Sequence, residues 1–342
     1  MANIHFLDVT NRDGVQTART GLSKFGKTMV NFYLGRLGVA PSEIGFPFLY
    51  HEVPSVRAAK GGGAATVGVN AEDGSRTDDG FLLEFALAAR DAGADRIRYC
   101  DTIGGDTPGR IRDRFATLAS AVGIPVETHC HNDLGMAVAN SVSGALGDLD
   151  AGQDAWINTC VNGIGERSGN ADLLSCILAV EHGFGLPAEA NVGDAIDLTW
   201  ARRFGWWASH AFGQPLPNNQ PGIGPNAFAH ESGIHADGAL KDHANYELYD
   251  EAALGPWPAD WHARRGRVVL TGEYGGKAGF RHVMDGLGIE VTDEDTTFRL
   301  VQLCNAATGR PLTDDELRLI AAYPAELSLL YPGYLTTSRS AL

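Results

Sequence analysis

The strongest constraint on the fold of this chain is a repeated alternation of short apolar runs, polar loops and helical patterns. Residues 5–10 read as a buried strand, a polar loop follows at 11–16, and the apolar spacing predicts a helix over 23–37. The unit recurs, with strand-like runs at 43–46, 66–70, 96–101, 125–131 and 155–162 and helices near 51–60, 79–92, 108–121, 136–149 and 171–183. Strands alternating with helices of this length require right-handed crossovers and a parallel sheet. Polar and charged residues gather just after the strands, at the carboxyl ends where α/β sites form. No G-x-G-x-x-G opens a helix after the first strand, which disfavours a dinucleotide-binding sheet. The expected organisation is an α/β barrel-like domain over 1–183, a Pro/Gly-containing connector with a helix near 192–209 over 184–225, and a small helical subdomain over 226–342 with a strand near 267–270.

A net charge of −15, from 42 acidic and 27 basic residues, excludes a broad contact with a phosphate backbone, so no nucleic-acid partner is expected. The five cysteines are scattered and never in C-x-x-C spacing, the usage of reduced thiols in a cytoplasm. No signal peptide opens the sequence, and no window reaches the ~18 apolar residues of a membrane span.

Chemistry first shows at Val126-Glu127-Thr128-His129-Cys130-His131-Asn132-Asp133. In a strand, residues i and i+2 share a face, so His129 and His131 can present two imidazoles to one point while Cys130 faces away. A lone H-x-H equally describes two polar residues at a strand end, satisfied by backbone and water.

Three further motifs accompany it: Asp8-Val-Thr-Asn-Arg12-Asp13-Gly14-Val-Gln16, Asn162-Gly-Ile-Gly-Glu166-Arg167-Ser-Gly-Asn170 and Ser232-Gly-Ile-His235-Ala-Asp-Gly238. In their order along the chain the four resemble the homocitrate synthase and isopropylmalate synthase family of metal-dependent TIM-barrel enzymes, over residues 4 to about 290. The resemblance implies a Claisen condensation of an acyl-CoA, usually acetyl-CoA, with a 2-oxo acid, followed by thioester hydrolysis. It implies a divalent ion (Mg, Mn, Co or Zn) held by Asp13, His129, His131 and Asn162. Arg12 would balance charge on the reacting oxygen, with Gln16 and Thr102 beside the oxo acid. Glu72 would be a catalytic-site glutamate, and His235 with Tyr246 would handle the proton of the acyl methyl group. A homodimer with shared active sites is the implied assembly. The run Glu72-Asp-Gly-Ser-Arg76 makes 2-oxoglutarate the first acceptor, ahead of oxaloacetate, 2-oxoisovalerate, pyruvate or a phosphonate-bearing oxo acid.

The chain departs from the family in its strand count. Six units precede residue 183 where a barrel needs eight, and the family layout implies that about two βα units, roughly 60–70 residues, are absent near Gly61–Gly63. Gly272-Glu-Tyr274-Gly-Gly-Lys277 replaces a Gly-Lys-His-Ser-Gly-like run, and no C-terminal regulatory domain is expected, hence no leucine feedback through one. The rivals are an isopropylmalate, citramalate or specialised alkylmalate synthase, a lyase of the hydroxymethylglutaryl-CoA type, and an inactive metal-binding remnant of an incomplete barrel. The lyase would carry a cysteine in the loop that here reads Asn162-Gly-Ile-Gly-Glu-Arg167. Trp206, Trp207, Trp257 and Trp261 are expected to pack within the appendage, and Glu166 with Arg167 to fix a loop as a salt bridge.

Overall fold

A computed structural model of the chain describes residues 3–39, 43, 66–186, 190–192, 195–257 and 268–331. The expected helix near 51–60, the Gly61–Gly63 joint, Trp261 and all of the expected 43–46 strand except Glu43 lie outside the described residues. The chain forms two compact units, Met1–Ile223 with Leu254–Pro258, and Gly224–Ala253 with Ala259–Leu342.

The first unit carries a six-stranded parallel sheet built from β1 (Asn3–Asp8), β2 (Gly68–Ala71), β3 (Arg96–Asp101), β4 (Val126–Cys130), β5 (Ala155–Thr159) and β6 (Asn191–Val192). Its order is β2-β3-β4-β5-β1-β6, so among the described residues the sheet has two edges and does not close on itself. The helices are α1 (Lys24–Leu37), α2 (Asp79–Asp91), α3 (Pro108–Val122), α4 (Ala137–Asp150), α5 (Leu173–His182) and α6 (Ala201–Phe212). Local chemistry sets their ends. Ser23 accepts from Gly26 N to cap α1, and Gly38 at φ 94° ends it, a left-handed position that suits glycine. Pro108 opens α3, where its missing N–H costs nothing, and Gly123 closes it. Every residue of β4 is buried, as a parallel strand covered on both faces requires. The register sets Arg98 beside Glu127, Glu127 beside Trp156 and His129 beside Asn158.

Two local expectations need correction. The connector helix runs over Ala201–Phe212 rather than 192–209, because Asp197 accepts from Thr199 N and starts a short 3-10 turn inside the apolar pattern. Residues 191–192 instead extend the sheet beside β1. Trp206, Trp207 and Trp257 belong to the first unit and not to the appendage: Trp207 packs on Tyr33 at 5.5 Å and Trp257 lies 4.3 Å under the Arg202 guanidinium.

In the second unit β7 (Ala229–His230) pairs in parallel with β8 (Val268–Val269). Helices α7 (Gly233–Lys241), α8 (Lys277–Gly286), α9 (Glu294–Thr308), α10 (Asp314–Ala322) and α11 (Pro324–Ser328) complete it. Phe280, Met284, Leu300, Leu317 and Ile320 form its core. Among the described residues, no helix is long and apolar enough to cross a membrane.

Candidate metal centre and active site

The turn after β1 and the end of β4 bring three buried side chains together. Asp13 Oδ2 lies 3.0 Å from His129 Nε2 and 4.0 Å from His131 Nε2. The two imidazoles meet edge to face at 5.2 Å between centroids, and one ligand atom from each of the three residues falls within 4.8 Å of the others. Cys130 between them is buried. Burial alone would push the Asp13 carboxyl up, but the hydrogen bond and charge of His129, then Arg12 and His131, hold it well below the ordinary carboxylate range. Burial, then His129, lowers His131 to about 4, so it is a neutral imidazole at physiological pH.

These donors fit a divalent ion. Two donors each about 2.1 Å from one ion at right angles stand about 3.0 Å apart, the Asp13–His129 separation. The loop after β5 folds back on the histidine segment, with Asn132 N donating to Gly169 O and Ala171 N to Cys130 O, and a β-bridge sets Asn170 against His131. The Asn170 amide donates Nδ2 to Cys160 Sγ at 3.3 Å, while its buried Oδ1 has no partner among the described residues. An oxygen with lone pairs and nothing to accept from is a ready ligand.

Asn162 has a buried Oδ1 without a partner among the described residues as well, but its side chain lies against α6. Its Nδ2 donates to Gly205 O of α6 at 2.7 Å, and a Cβ at Gly205 would sit 2.9 Å from its Oδ1. It is a non-glycine residue at φ 56°. The motif at 162–170 thus offers two asparagines, Asn162 against Gly205 and Asn170 bridged to His131.

Arg12 stands beside the triad. Its Nη1 donates to Asp13 Oδ2 at 3.2 Å and its Nε to Glu43 Oε2 at 2.9 Å. Glu43 also pairs with Arg98, which donates Nε to Glu127 Oε1 at 2.5 Å. Asn158 donates Nδ2 to Glu127 at 2.8 Å, and its Oδ1 meets His129 Nδ1 at 2.8 Å. The contacts form a closed ring: Asp13, Arg12, Glu43, Arg98, Glu127, Asn158, His129. Burial would raise Glu127, yet Arg98 and Arg96 bring it down to about 2, so it is ionised.

Glu72 and Thr102 meet: Thr102 Oγ1 donates to Glu72 Oε1 at 3.0 Å and accepts from Asp73 N, and Asn70 Nδ2 donates to Glu72 Oε2 at 3.1 Å. Glu72 is exposed, as is Gln16 at the end of the turn that carries Asp13. Arg167 forms its ion pair with Asp133, through Nε and Nη2 at 3.0 Å each, rather than with Glu166, and also donates to Thr102 O. It thereby ties together the loops after β3, β4 and β5. In the second unit, the His235 and Tyr246 rings meet at a tilt of 34° with centroids 4.4 Å apart on an exposed face, and buried His230 meets Glu247 at 3.3 Å.

The chain is similar to known proteins. Residues 50–199 match the HMGL-like family and residues 223–308 the homocitrate synthase post-HMGL domain-like family. A citrate (Re)-synthase of Dehalococcoides mccartyi (strain CBDB1) is 41% identical over 401 aligned positions, covering 95% of this chain and 96% of that protein. The chain holds 342 residues, so at least 59 of those positions have no counterpart in it, the order of size of the two missing βα units. The 2-isopropylmalate synthase 2 of Caldanaerobacter subterraneus subsp. tengcongensis is 38% identical over 265 positions, covering 77% of this chain and 64% of that protein. Among solved structures, the hydroxymethylglutaryl-CoA lyase of Pseudomonas aeruginosa is alike in fold, with a TM-score of 0.50 at 16% identity over 63% of this chain and 94% of that one.

Proposed function

The chain belongs to the homocitrate synthase and isopropylmalate synthase family and condenses acetyl-CoA with a 2-oxo acid, and from that premise we propose that its acceptor is oxaloacetate and its product citrate. The observation that carries the reading is the convergence of Asp13, His129 and His131 beside Arg12 in a chain 41% identical to a citrate (Re)-synthase over 96% of its length. That relative favours oxaloacetate over the 2-oxoglutarate suggested by residues 72–76. In our reading Asp13, His129 and His131 hold the divalent ion, with Asn170 Oδ1 as the fourth protein donor in place of Asn162. When bound, such an ion polarises the carbonyl of the oxo acid as a Lewis acid.

The chain's own residues do the rest. His235, with Tyr246 against its ring, takes a proton from the acetyl methyl group. The resulting enolate carbon attacks the keto carbon, and the Arg12 guanidinium faces the negative charge that develops on the oxygen. Glu72 and Thr102 line the acceptor side, with Gln16 at the entrance. Hydrolysis of the thioester then releases citrate and the thiol of coenzyme A. The second unit serves the barrel of a partner subunit, so the working form is a homodimer, in the cytoplasm.

The lyase reading is disfavoured by its missing thiol. Cys160 precedes the loop but is sealed, and burial pushes its pKa well up. Thiol release from acetyl-CoA with oxaloacetate, 2-oxoglutarate, 2-oxoisovalerate and pyruvate in turn tests the proposal. Release with oxaloacetate ahead of the others supports it; preference for another oxo acid contradicts the acceptor, and silence with all contradicts the synthase.

A further inference from the structure

Behind the triad, Asn158 lies between His129 and Glu127, and the orientation of its amide follows from the charges around it. Arg96 Nε donates to Glu127 Oε2 at 2.5 Å and Arg98 Nε to Oε1 at 2.5 Å, so both carboxylate oxygens are engaged by cations and Glu127 can only accept. The Asn158 atom facing Oε1 at 2.8 Å is therefore its NH2, which leaves Oδ1 toward His129 Nδ1, also at 2.8 Å. A carbonyl oxygen cannot donate, so Nδ1 must carry a proton. With that proton held on Nδ1, the ring turns its other nitrogen, Nε2, toward Asp13 Oδ2 at 3.0 Å. A separation of that length is spanned by a proton or by a divalent ion, and with Nδ1–H secured an ion can take the Nε2 lone pair once that proton leaves.

We propose that Asn158 is a positioning residue, held by Glu127, that fixes the Nδ1–H tautomer of His129 and so directs Nε2 at a divalent cation shared with Asp13. The inference rests on the reading of His129 as a metal ligand, and adds to it a residue that touches neither ion nor substrate. Asn158 is fully sequestered, with 1% of its surface exposed, and it stands beside His129 in the β4–β5 register. Ligating histidines need their second nitrogen bound to an acceptor, and losing that partner typically weakens metal binding ~10–100-fold. Without Asn158 no acceptor holds the proton on Nδ1, and a neutral ring can keep its one proton on Nε2 against Asp13, in the place of the ion.

The test is Mn2+ binding by the full-length metal-free protein, followed by the electron paramagnetic resonance of free Mn2+, for wild type and Asn158→Leu. The expected result is a Kd raised ~10–100-fold in the variant, with kcat recovered at saturating Mn2+. In Zn2+-loaded wild type labelled with 15N-histidine, His129 Nδ1 is expected to carry a proton, a readout that needs no variant. Equal Mn2+ affinity in a folded Asn158→Leu protein, or an unprotonated Nδ1 in the wild type, overturns the proposal. Wild type that binds no Mn2+ overturns the metal reading itself.

Discussion

Asp13 Oδ2 lies 3.0 Å from His129 Nε2, joining the turn after β1 to the end of β4 inside the sheet. His129 and Arg12 together keep Asp13 ionised against the cost of burial. Asp13→Asn keeps the shape and removes the charge. It should weaken Mn2+ binding by more than ~100-fold, beyond the loss typical of an outer partner, and abolish condensation while the protein stays folded. Calorimetric metal titration beside circular dichroism checks this.

Arg12 reaches both Asp13 and Glu43. A lysine carries the charge but cannot hold both partners with one planar fork. Arg12→Lys should lower kcat by ~10²–10³, the usual effect of removing a donor aimed at developing charge, and leave the Mn2+ Kd within about threefold. Steady-state kinetics with metal titration separates the two effects.

In the second unit, Tyr246 packs so closely on Gly238 that a Cβ there would strike its ring, and the same ring packs at a tilt on His235. A glycine inside a helix costs about 1 kcal/mol against alanine, so Gly238→Ala should not destabilise α7 for reasons of propensity. It should instead displace Tyr246 and lower kcat about as far as Tyr246→Phe does. His235→Asn should cost more, ~10²–10⁴. Exchange of acetyl-CoA methyl protons with deuterated solvent reports the step directly, and all three variants should slow it.

Asp8 is buried, and burial pushes its carboxyl up to about 7 although Thr10 N and Oγ1 both donate to it at 2.9 Å. The unfolded value is near 3.9, so the folded state holds this proton more tightly. The resulting stabilisation is complete below about pH 4 and disappears as pH rises through about 7. At ~1.4 kcal/mol per unit, it is bounded near 4 kcal/mol. Urea midpoints of metal-free wild type should therefore fall relative to Asp8→Asn between pH 5 and 8, and the difference should level off above pH 8.

Much of the first unit was legible because local signals agreed. β3 occupies the expected 96–101, and α1 lies between a serine cap and a left-handed glycine. β6 was not legible: it is two residues long, and only its pairing with β1 makes it a strand. At the site, the period of two marks His129 and His131, and the same period places Glu127 on their face. Asn170 left no such trace. Two asparagines border one glycine-rich loop, and only the return of residues 163–171 onto 130–132 sets one against His131 and the other against Gly205. Glu43, Arg98 and Asn158 join the ring through contacts between segments far apart in the sequence, which no spacing records.

The central claim is that the Asp13, His129 and His131 site supports condensation in a chain whose described sheet has six strands. The most direct measurement is citrate formed from acetyl-CoA and oxaloacetate by the full-length protein, after chelation and again after Mn2+, Mg2+, Co2+ or Zn2+ is restored. The account predicts no citrate from chelated protein, recovery with at least one ion, and no recovery in Asp13→Asn. Citrate formation that survives chelation, or that no ion restores, would contradict it.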